Sequence, residues 1–298
     1  MVWIALGIVY LVWGSTYFAI AIVVQTLPPL LAAGGRFLLA GLLLAAWVAA
    51  RRPGALRMAR RQAAGAGLVG VLLLAGGNGL VSLGERTVPS GLAALIVASV
   101  PLWIVLLRLA ARDRVGRDVM IGVTVGIVGV AVLVVPGGVS GQTDALGLVM
   151  LVGATFAWAT GTFLSPRLDM PRDALASTAA QMIAAGVVLL VVGTLASEGF
   201  TTGAASTASL IALGYLVVFG SLVAFSAYTW LLQNAPVSLV STYAYVNPVV
   251  AVFLGTLFLS EPVTPTTIAG AALILAAVAF IVSRASVTAA RGRGTTGR

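Results

Sequence analysis

The chain has 298 residues, of which 60% are hydrophobic and only 8% charged, and its mean hydropathy is +1.10. A soluble domain of this length cannot hide so much apolar surface, so the composition excludes a water-soluble fold and predicts a membrane protein. The net charge is +9, and the absence of cysteine and histidine excludes disulfides, thiol chemistry and ordinary zinc sites.

Ten apolar runs are each long enough for a membrane helix, which needs about 20 residues to cross the hydrocarbon core. Because backbone groups in lipid must be satisfied within the segment, we expect an all-α polytopic fold with ten transmembrane helices. The chain begins inside its first run, which we expect to act as its own targeting signal. The runs cover residues 2–24, 29–50, 64–84, 90–111, 118–136, 144–165, 174–196, 208–231, 238–259 and 265–283.

The positive charges are all arginines, and 15 of the 17 fall in alternate loops and the C-terminal tail. These arginines follow the second, fourth, sixth and tenth runs, whereas the opposite loops carry only Arg86 with Glu85, Glu198 and Glu261. By the positive-inside rule, this asymmetry predicts a multi-pass protein of the cell (inner) membrane with cytoplasmic N- and C-termini. Because topology accounts for the charge, we expect no nucleic-acid partner.

The first run places Tyr10, Trp13 and Tyr17 on one helical face, with Trp13 and Tyr17 well inside the span. An aromatic stripe at this spacing fits the packing of one helix on another. It equally fits the wall of a binding site, and both interpretations stay open.

The second run carries Arg36, about 10 Å below the outer end of its helix. An arginine inside a span costs about 2.5–3.5 kcal/mol on insertion scales, so it should face protein or water and have a partner. One interpretation pairs Arg36 with Glu85 at the outer end of the third run. The other makes it an anion-binding residue on a transport path.

The third run contains the sequence GGNG, in which three glycines surround Asn78. These glycines weaken the helix at membrane depth, where broken backbone is tolerated only beside protein or a cavity. The Asn78 amide offers a donor and an acceptor to a substrate. The glycines also suit close helix packing, so this alternative remains.

A frame of two prolines begins just before the fourth run and recurs just before the ninth. Pro89 and Pro101 are twelve residues apart, as are Pro236 and Pro248, at an offset of 147. Pro101 and Pro248 each remove a helical hydrogen bond near the midplane, so we predict hinges there. Kinked helices at corresponding places in two halves point to the central site of a transporter.

Other residues repeat at a similar offset, since Trp13 aligns with Trp158 and Arg36 with Gln181 at 145. Each half holds five runs, an odd number, so the two copies lie in opposite orientations. We therefore predict a 5+5 inverted repeat that supports alternating access. The predicted units are a first repeat over residues 1–139, a second over 140–284 and a disordered basic cytoplasmic tail over 285–298.

The eighth and ninth runs add polar aromatic residues at depth, with Tyr243 and Asn247 together at i and i+4. Combined with the earlier patterns, they predict a substrate site between the two halves. The predicted substrate-binding residues are Trp13, Tyr17, Arg36, Asn78, Trp158, Tyr228, Tyr243 and Asn247.

Several of these stretches resemble the EamA branch of the drug/metabolite transporter superfamily, and its YedA-like members most of all. The resemblance covers residues 2–283 and implies two five-helix repeats around a central cavity, which the first four helices of each repeat line. An acidic residue, often Glu, closes the fourth helix of a repeat in that family; Glu261 fits, while the first half has Asp113. The matching segments are VYLVWGSTYFAI, PPLLAAGGRF, GGNGL, VPSGLAAL and STYAYVNPVVAVFLGTLF.

The leading interpretation is a secondary transporter that exports small metabolites, amino acids or drugs, with a small-molecule substrate and no cofactor. The resemblance leaves an importer or exchanger of purines or other nucleotide-like metabolites as the alternative. An enzyme is disfavoured because no set of residues with catalytic spacing lies inside the spans, and no ring of filter residues marks a channel. Cargo, direction and oligomeric state stay open at this point.

Proton coupling is expected only under one condition. All eight acidic residues fall at the ends of the predicted spans or in loops, whereas a proton site usually needs a carboxylate buried in the membrane. We therefore expect transport without a proton, unless Glu85 is buried against Arg36.

Overall fold

A computed structural model of the chain describes residues 1–52, 54–113, 115–134, 144–199, 205–240 and 242–294. The regular structure in these ranges is helical and contains no strand, which confirms the predicted all-α fold. A short helix, Val237–Val240, lies between the eighth and ninth principal helices. The principal helices are α1 (Val2–Val23), α2 (Pro29–Arg51), α3 (Arg60–Gly84), α4 (Ser90–Ala110), α5 (Arg117–Val134), α6 (Ala145–Leu164), α7 (Ala174–Leu195), α8 (Thr207–Leu232), α9 (Tyr243–Leu259) and α10 (Pro265–Gly294).

Seven helices in the described ranges, α1–α4 and α6–α8, are long and apolar enough to cross a membrane. The helices α5, α9 and α10 contain the shorter apolar stretches Val119–Leu133, Tyr243–Leu259 and Pro265–Ile281. The count of ten transmembrane helices therefore stays a prediction. The helix α10 continues to Gly294, into the segment 285–298 for which the sequence predicts disorder, and residues 295–298 lie outside the described ranges.

The helices of the first half and those of the second half make matching contacts. The helix α2 packs along α7, α4 against α9, and α5 against α10. The helix α1 contacts α8 and α9, just as α6 contacts α3 and α4. Likewise, α3 packs on α7 as α8 packs on α2. Every contact in this series has a counterpart five helices further along the chain.

Loops from both halves meet at one end of the helix assembly, which we call the arginine-poor end. Here the Glu198 carboxylate, after α7, accepts hydrogen bonds from the backbone nitrogens of Leu30 and Leu31 at 2.9 and 3.0 Å. These nitrogens belong to the first turn of α2, where the helix offers unpaired N–H groups and favours negative charge.

The opposite end, the arginine-rich end, is held by ion pairs. Arg52 contacts Asp173 at 2.7 Å and Arg167 contacts Asp113 at 2.7 Å. Each pair joins a loop of the first half to a loop of the second. These side chains are partly exposed, so each pair contributes little to stability by itself.

Two stretches at corresponding positions are wound as π-helix. Val71–Gly79 in α3 contains the GGNG sequence, and Leu216–Phe225 lies in α8 at an offset of 145. π-Helical turns are rare in proteins, but those that occur are often found at functional sites. The glycines around Asn78 therefore change the winding of α3 without ending the helix.

The backbone differs around the two predicted hinge prolines. The helix α4 is interrupted at Ala98 and Ser99, directly before Pro101. Pro248, in contrast, lies inside the continuous helix α9. Residue 241, shortly before α9, lies outside the described ranges. Hinge motion at either proline stays a prediction.

Glycine allows the backbones of α2 and α7 to touch. A Cβ placed on Gly186 would lie 2.5 Å from the Leu38 backbone nitrogen, whereas one placed on Gly35 would meet nothing within 4 Å. We predict that Gly186→Ala separates the two helices and lowers the free energy of unfolding by about 1–3 kcal/mol, as overpacking does. The melting temperature of the purified protein in detergent measures the effect.

Gly35→Ala is the matched control, because it adds the same methyl group to the open face of the same helix pair. Its melting temperature should stay equal to that of the parent or rise slightly, since alanine favours the helix. Equal destabilisation by both substitutions would show that the α2–α7 contact is looser than described.

Candidate functional site

A cavity of about 60 Å³ lies between helices of both halves. Seven of the eight predicted substrate-binding residues line this central cavity. The eighth, Tyr228, lies in the wall of a second cavity and packs on Trp13, with ring centroids 4.7 Å apart. Whether these residues bind a substrate stays a prediction. The seven are Trp13, Tyr17, Arg36, Asn78, Trp158, Tyr243 and Asn247.

An aromatic cluster closes the central cavity on one side. Trp13 is its centre, with the rings of Trp158, Tyr243 and Phe225 at 5.5, 5.4 and 6.4 Å. The Trp158 and Tyr243 rings meet Trp13 edge to face, a favourable geometry for aromatic pairs. Phe225 lines both cavities. The stripe predicted in α1 therefore serves both packing and the cavity wall.

Arg36 is held by a hydrogen bond from across the helix assembly. Its Nε donates to the Ser221 hydroxyl of α8 at 2.8 Å, and only 5% of the residue is exposed. No ion pair in the described part of the chain joins Arg36 to Glu85, so the predicted pairing is wrong. The bond to Ser221 uses the Nε–H group of Arg36. The two outer nitrogens of the guanidinium bond to no described residue, so they can donate to a ligand.

Two further polar groups of the central cavity have no hydrogen-bond partner among the described residues. The buried Nε1 of Trp158 has no acceptor at hydrogen-bond distance in the described part of the chain, although it interacts more weakly with the hydroxyls of Tyr228 and Tyr243. Asn78 accepts a bond from Ser82 through its backbone oxygen, while its side-chain amide makes no bond in the described part of the chain. Buried polar groups are rarely left unpaired, so Trp158 Nε1 is a candidate for a bond to a bound molecule. The Asn78 amide is half-buried in the cavity wall and can also reach such a molecule.

Asn247 has a different role from Asn78, although both amides line the cavity. With its nitrogen facing the backbone carbonyls, Asn247 donates to Tyr10 and Tyr243 at 3.1 and 3.2 Å. The side chain thereby links α9 to α1. Tyr10 also bonds to the hydroxyl of Thr242 at this helix junction. Replacing Asn247 should therefore disturb the fold as well as the site.

A second and larger cavity of about 480 Å³ lies below the aromatic cluster, towards the arginine-rich end. Gln181 lines it, as do Arg108 and Arg167. Gln181 is the residue that the repeat aligns with Arg36, and it is 3% exposed with its amide donating to Ser177 at 3.1 Å. The sequence analysis did not place a cavity here, although the Arg36–Gln181 alignment could have indicated one.

The chemistry of the central cavity suits binding. Among the described residues that line it, Arg36 is the only charged one. No group of three or more potential metal ligands occurs in the described part of the chain. The lining thus offers a cation, amide and hydroxyl groups and aromatic faces, a pattern typical of small-molecule sites.

The sequence pattern of the EamA-like transporter family matches the chain twice, over residues 1–135 and 145–283. The inner membrane transporter YedA of Escherichia coli (strain K12) is 41% identical over 253 residues, which cover 85% of this chain and 81% of YedA. A Salmonella typhimurium protein named "Probable amino-acid metabolite efflux pump" is 26% identical and covers 90% of both chains.

A crystal structure with 20% sequence identity superposes on the chain with a TM-score of 0.68 and covers 97% of both chains. At this identity, the similarity supports the fold. The similarity does not identify a substrate.

We predict that Ser221→Ala destabilises the protein through Arg36. The substitution removes the acceptor of a buried charged donor, and a hydrogen bond to a charged group contributes about 1.5–3 kcal/mol. The melting temperature in detergent should fall accordingly. Ser226→Ala is the matched control, because the buried Ser226 hydroxyl bonds to no described residue. A Ser221→Ala protein as stable as the control would contradict the role given to this bond.

Proposed function

Because the chain belongs to the EamA-like transporter family, we propose that it exports small metabolites across the inner membrane by alternating access. The observation that carries this proposal is the central cavity, which combines the Arg36 guanidinium, the unpartnered Asn78 amide and an aromatic wall. A site between two halves of a membrane protein is the usual position of a transporter's substrate.

Three observations support the 5+5 inverted repeat within this proposal. The family pattern matches each half separately, close to the proposed units 1–139 and 140–284. The helix contacts recur five helices further along the chain. The two π-helical stretches lie at an offset of 145. Independent features of pattern, packing and winding therefore favour the same division.

The contacts at the two ends of the helix assembly differ, and alternating access predicts such a difference because only one end is open at a time. At the arginine-poor end, Glu261 accepts hydrogen bonds from Ser90 and Gly91 at 2.7 and 3.0 Å and so closes the start of α4 onto the α9–α10 loop. We call this contact the arginine-poor gate. Asp113, its counterpart in the first half, pairs instead with Arg167 and Arg108 beside the larger cavity. These contacts support a state in which the arginine-poor end is closed.

The lining of the central cavity narrows the class of cargo. A buried guanidinium favours an anionic group, such as a carboxylate, which it can bind through two nitrogens. The aromatic cluster favours an apolar or planar body. Amino acids and related carboxylates fit both features. The name of the Salmonella relative points the same way.

Transport in liposomes tests this function. Amino acids, purines and cationic drugs should be screened for saturable uptake and for acceleration by the same compound on the opposite side, which a carrier shows. We predict that Asn78→Ala reduces transport at least tenfold without changing the melting temperature, because its amide bonds to no described residue. Asn247→Ala should reduce both, since its amide links α1 and α9.

Asn234→Ala is the control, because Asn234 is exposed and bonds only to its own helix at Trp230. Its transport should match that of the parent. Full transport by Asn78→Ala would remove the amide from the proposed site. Conductance without saturation would contradict the carrier and indicate a channel instead.

The arginine distribution supports a further part of the proposal, that the arginine-poor end is extracellular and both termini are cytoplasmic. Because the chain has no cysteine, single cysteines can be labelled cleanly. In intact spheroplasts, Gly199→Cys should react with a membrane-impermeant maleimide, while Ala59→Cys should react only after lysis. Reversed labelling would invert the orientation.

A further inference from the structure

Glu85 is a buried carboxyl group without a partner. It follows the last residue of α3 at the arginine-poor end, is 6% exposed, and neither of its oxygens has a hydrogen-bond donor in the described part of the chain. The hydroxyl of Ser90, at the start of α4, is also buried, and it has no hydrogen-bond partner among the described residues. If Glu85 were ionised here, its negative charge would have neither water nor a hydrogen-bond donor to stabilise it.

The charged groups around Glu85 do not compensate it. Tyr17 of α1 and Glu261 before α10 lie close enough to feel its charge. Glu261 carries its own negative charge onto the first turn of α4. The adjacent Arg86 is exposed, and Arg36 of α2 is bonded to Ser221. The charge that acts on the Glu85 carboxyl is that of Glu261, which has the same sign.

Two further acidic residues at this end have other partners. Asp144 caps α6 by accepting from the backbone nitrogen of Leu146 at 3.1 Å, and Glu198 caps α2. Neither supplies a cation or a donor to Glu85. Every described acidic group at the arginine-poor end except Glu85 thus accepts a backbone hydrogen bond.

Burial raises the pKa of the Glu85 carboxyl well above its usual range, and the neighbouring Glu261 carboxylate raises it further. Of two interacting carboxyl groups, the one with the hydrogen-bond donors keeps the charge and the other keeps the proton. Glu261 has the donors. Geometry and electrostatics therefore assign the proton to the same residue.

We propose that Glu85 is a proton-binding site of the arginine-poor gate, protonated while the gate is closed and deprotonated when the gate opens. The proposal rests on the transport function and names the proton as a ligand of the moving part. On opening, the O–H bond of the carboxyl breaks and the proton passes to water. On closing, a proton is taken up from the same side.

The sign of the pH effect follows from this scheme. The closed state holds the proton more tightly than the open state, so its advantage is complete below the pKa of the open state. The advantage is lost as the pH rises through the pKa of the closed state. Between these values the ratio of open to closed protein should rise about tenfold for each pH unit.

Infrared spectroscopy of the purified protein tests the protonation directly. The parent should show the C=O stretching band of a protonated carboxyl at neutral pH, and this band should be absent from Glu85→Gln. Glu198→Gln is the matched control at the same end and should keep the band. A parent spectrum without the band, or a band that persists in Glu85→Gln, would overturn the assignment.

Labelling of Ile20→Cys tests the link to the gate. Ile20 lines the central cavity near the arginine-poor end of α1 and is 3% exposed. In intact spheroplasts, its reaction with an impermeant maleimide should accelerate as the external pH rises. The rate is normalised to Gly199→Cys, which corrects for titration of the thiol itself.

In the Glu85→Gln background, the normalised rate should be low and independent of pH, because glutamine keeps the neutral form. In the Glu198→Gln background the pH dependence should persist. A normalised rate with the same pH dependence with and without Glu85 would refute the proposal. Neither measurement uses a cargo. A failed transport assay would therefore contradict the proposed function, whereas the proton site of Glu85 is tested by the infrared and labelling results alone.

Discussion

The close approach of α2 and α7 is the contact on which the rest of the structure depends. Lipid supplies no hydrophobic force between helices, so the contact relies on dispersion between backbones that only small residues allow. Gly41 meets the backbone of α7, and Gly186 meets that of α2. Arg36 and Gln181 each lie five residues before one of these glycines. The interface that joins the two halves therefore also fixes one polar side chain towards each cavity.

Satisfaction of polar groups then separates structural residues from functional ones. Many buried hydroxyls bond to the preceding turn of their own helix, as Thr155 and Thr178 do, which is how polar groups survive in lipid. The Asn78 amide and Trp158 Nε1 lack such bonds but line a cavity, where an incoming molecule can supply them. Glu85 lies outside that cavity lining, where a proton is a ligand small enough to satisfy it.

Much of this arrangement could be predicted from the sequence because it depends on local pattern. Hydropathy locates the helices, and polar residues at membrane depth locate the cavity, where seven of eight predicted residues meet. The partner of Arg36 could not be predicted, because the bond to Ser221 depends on the relative rotation of α2 and α8. The same holds for Asn247, whose amide bonds are set by the junction of α9 with α1.

Glu85 shows why a gate is the hardest part to read from a sequence. A carboxyl at the end of an apolar run is normally solvated, but Glu85 is buried, and Glu261, far along the chain, lies close enough to act on its charge. The corresponding Asp113 at the other end pairs with arginines beside a large cavity. Glu261 thus bonds to backbone N–H groups of α4, whereas Asp113 pairs with arginine side chains. The proposed inverted repeat predicts such a difference, because one state places its two copies in different conformations.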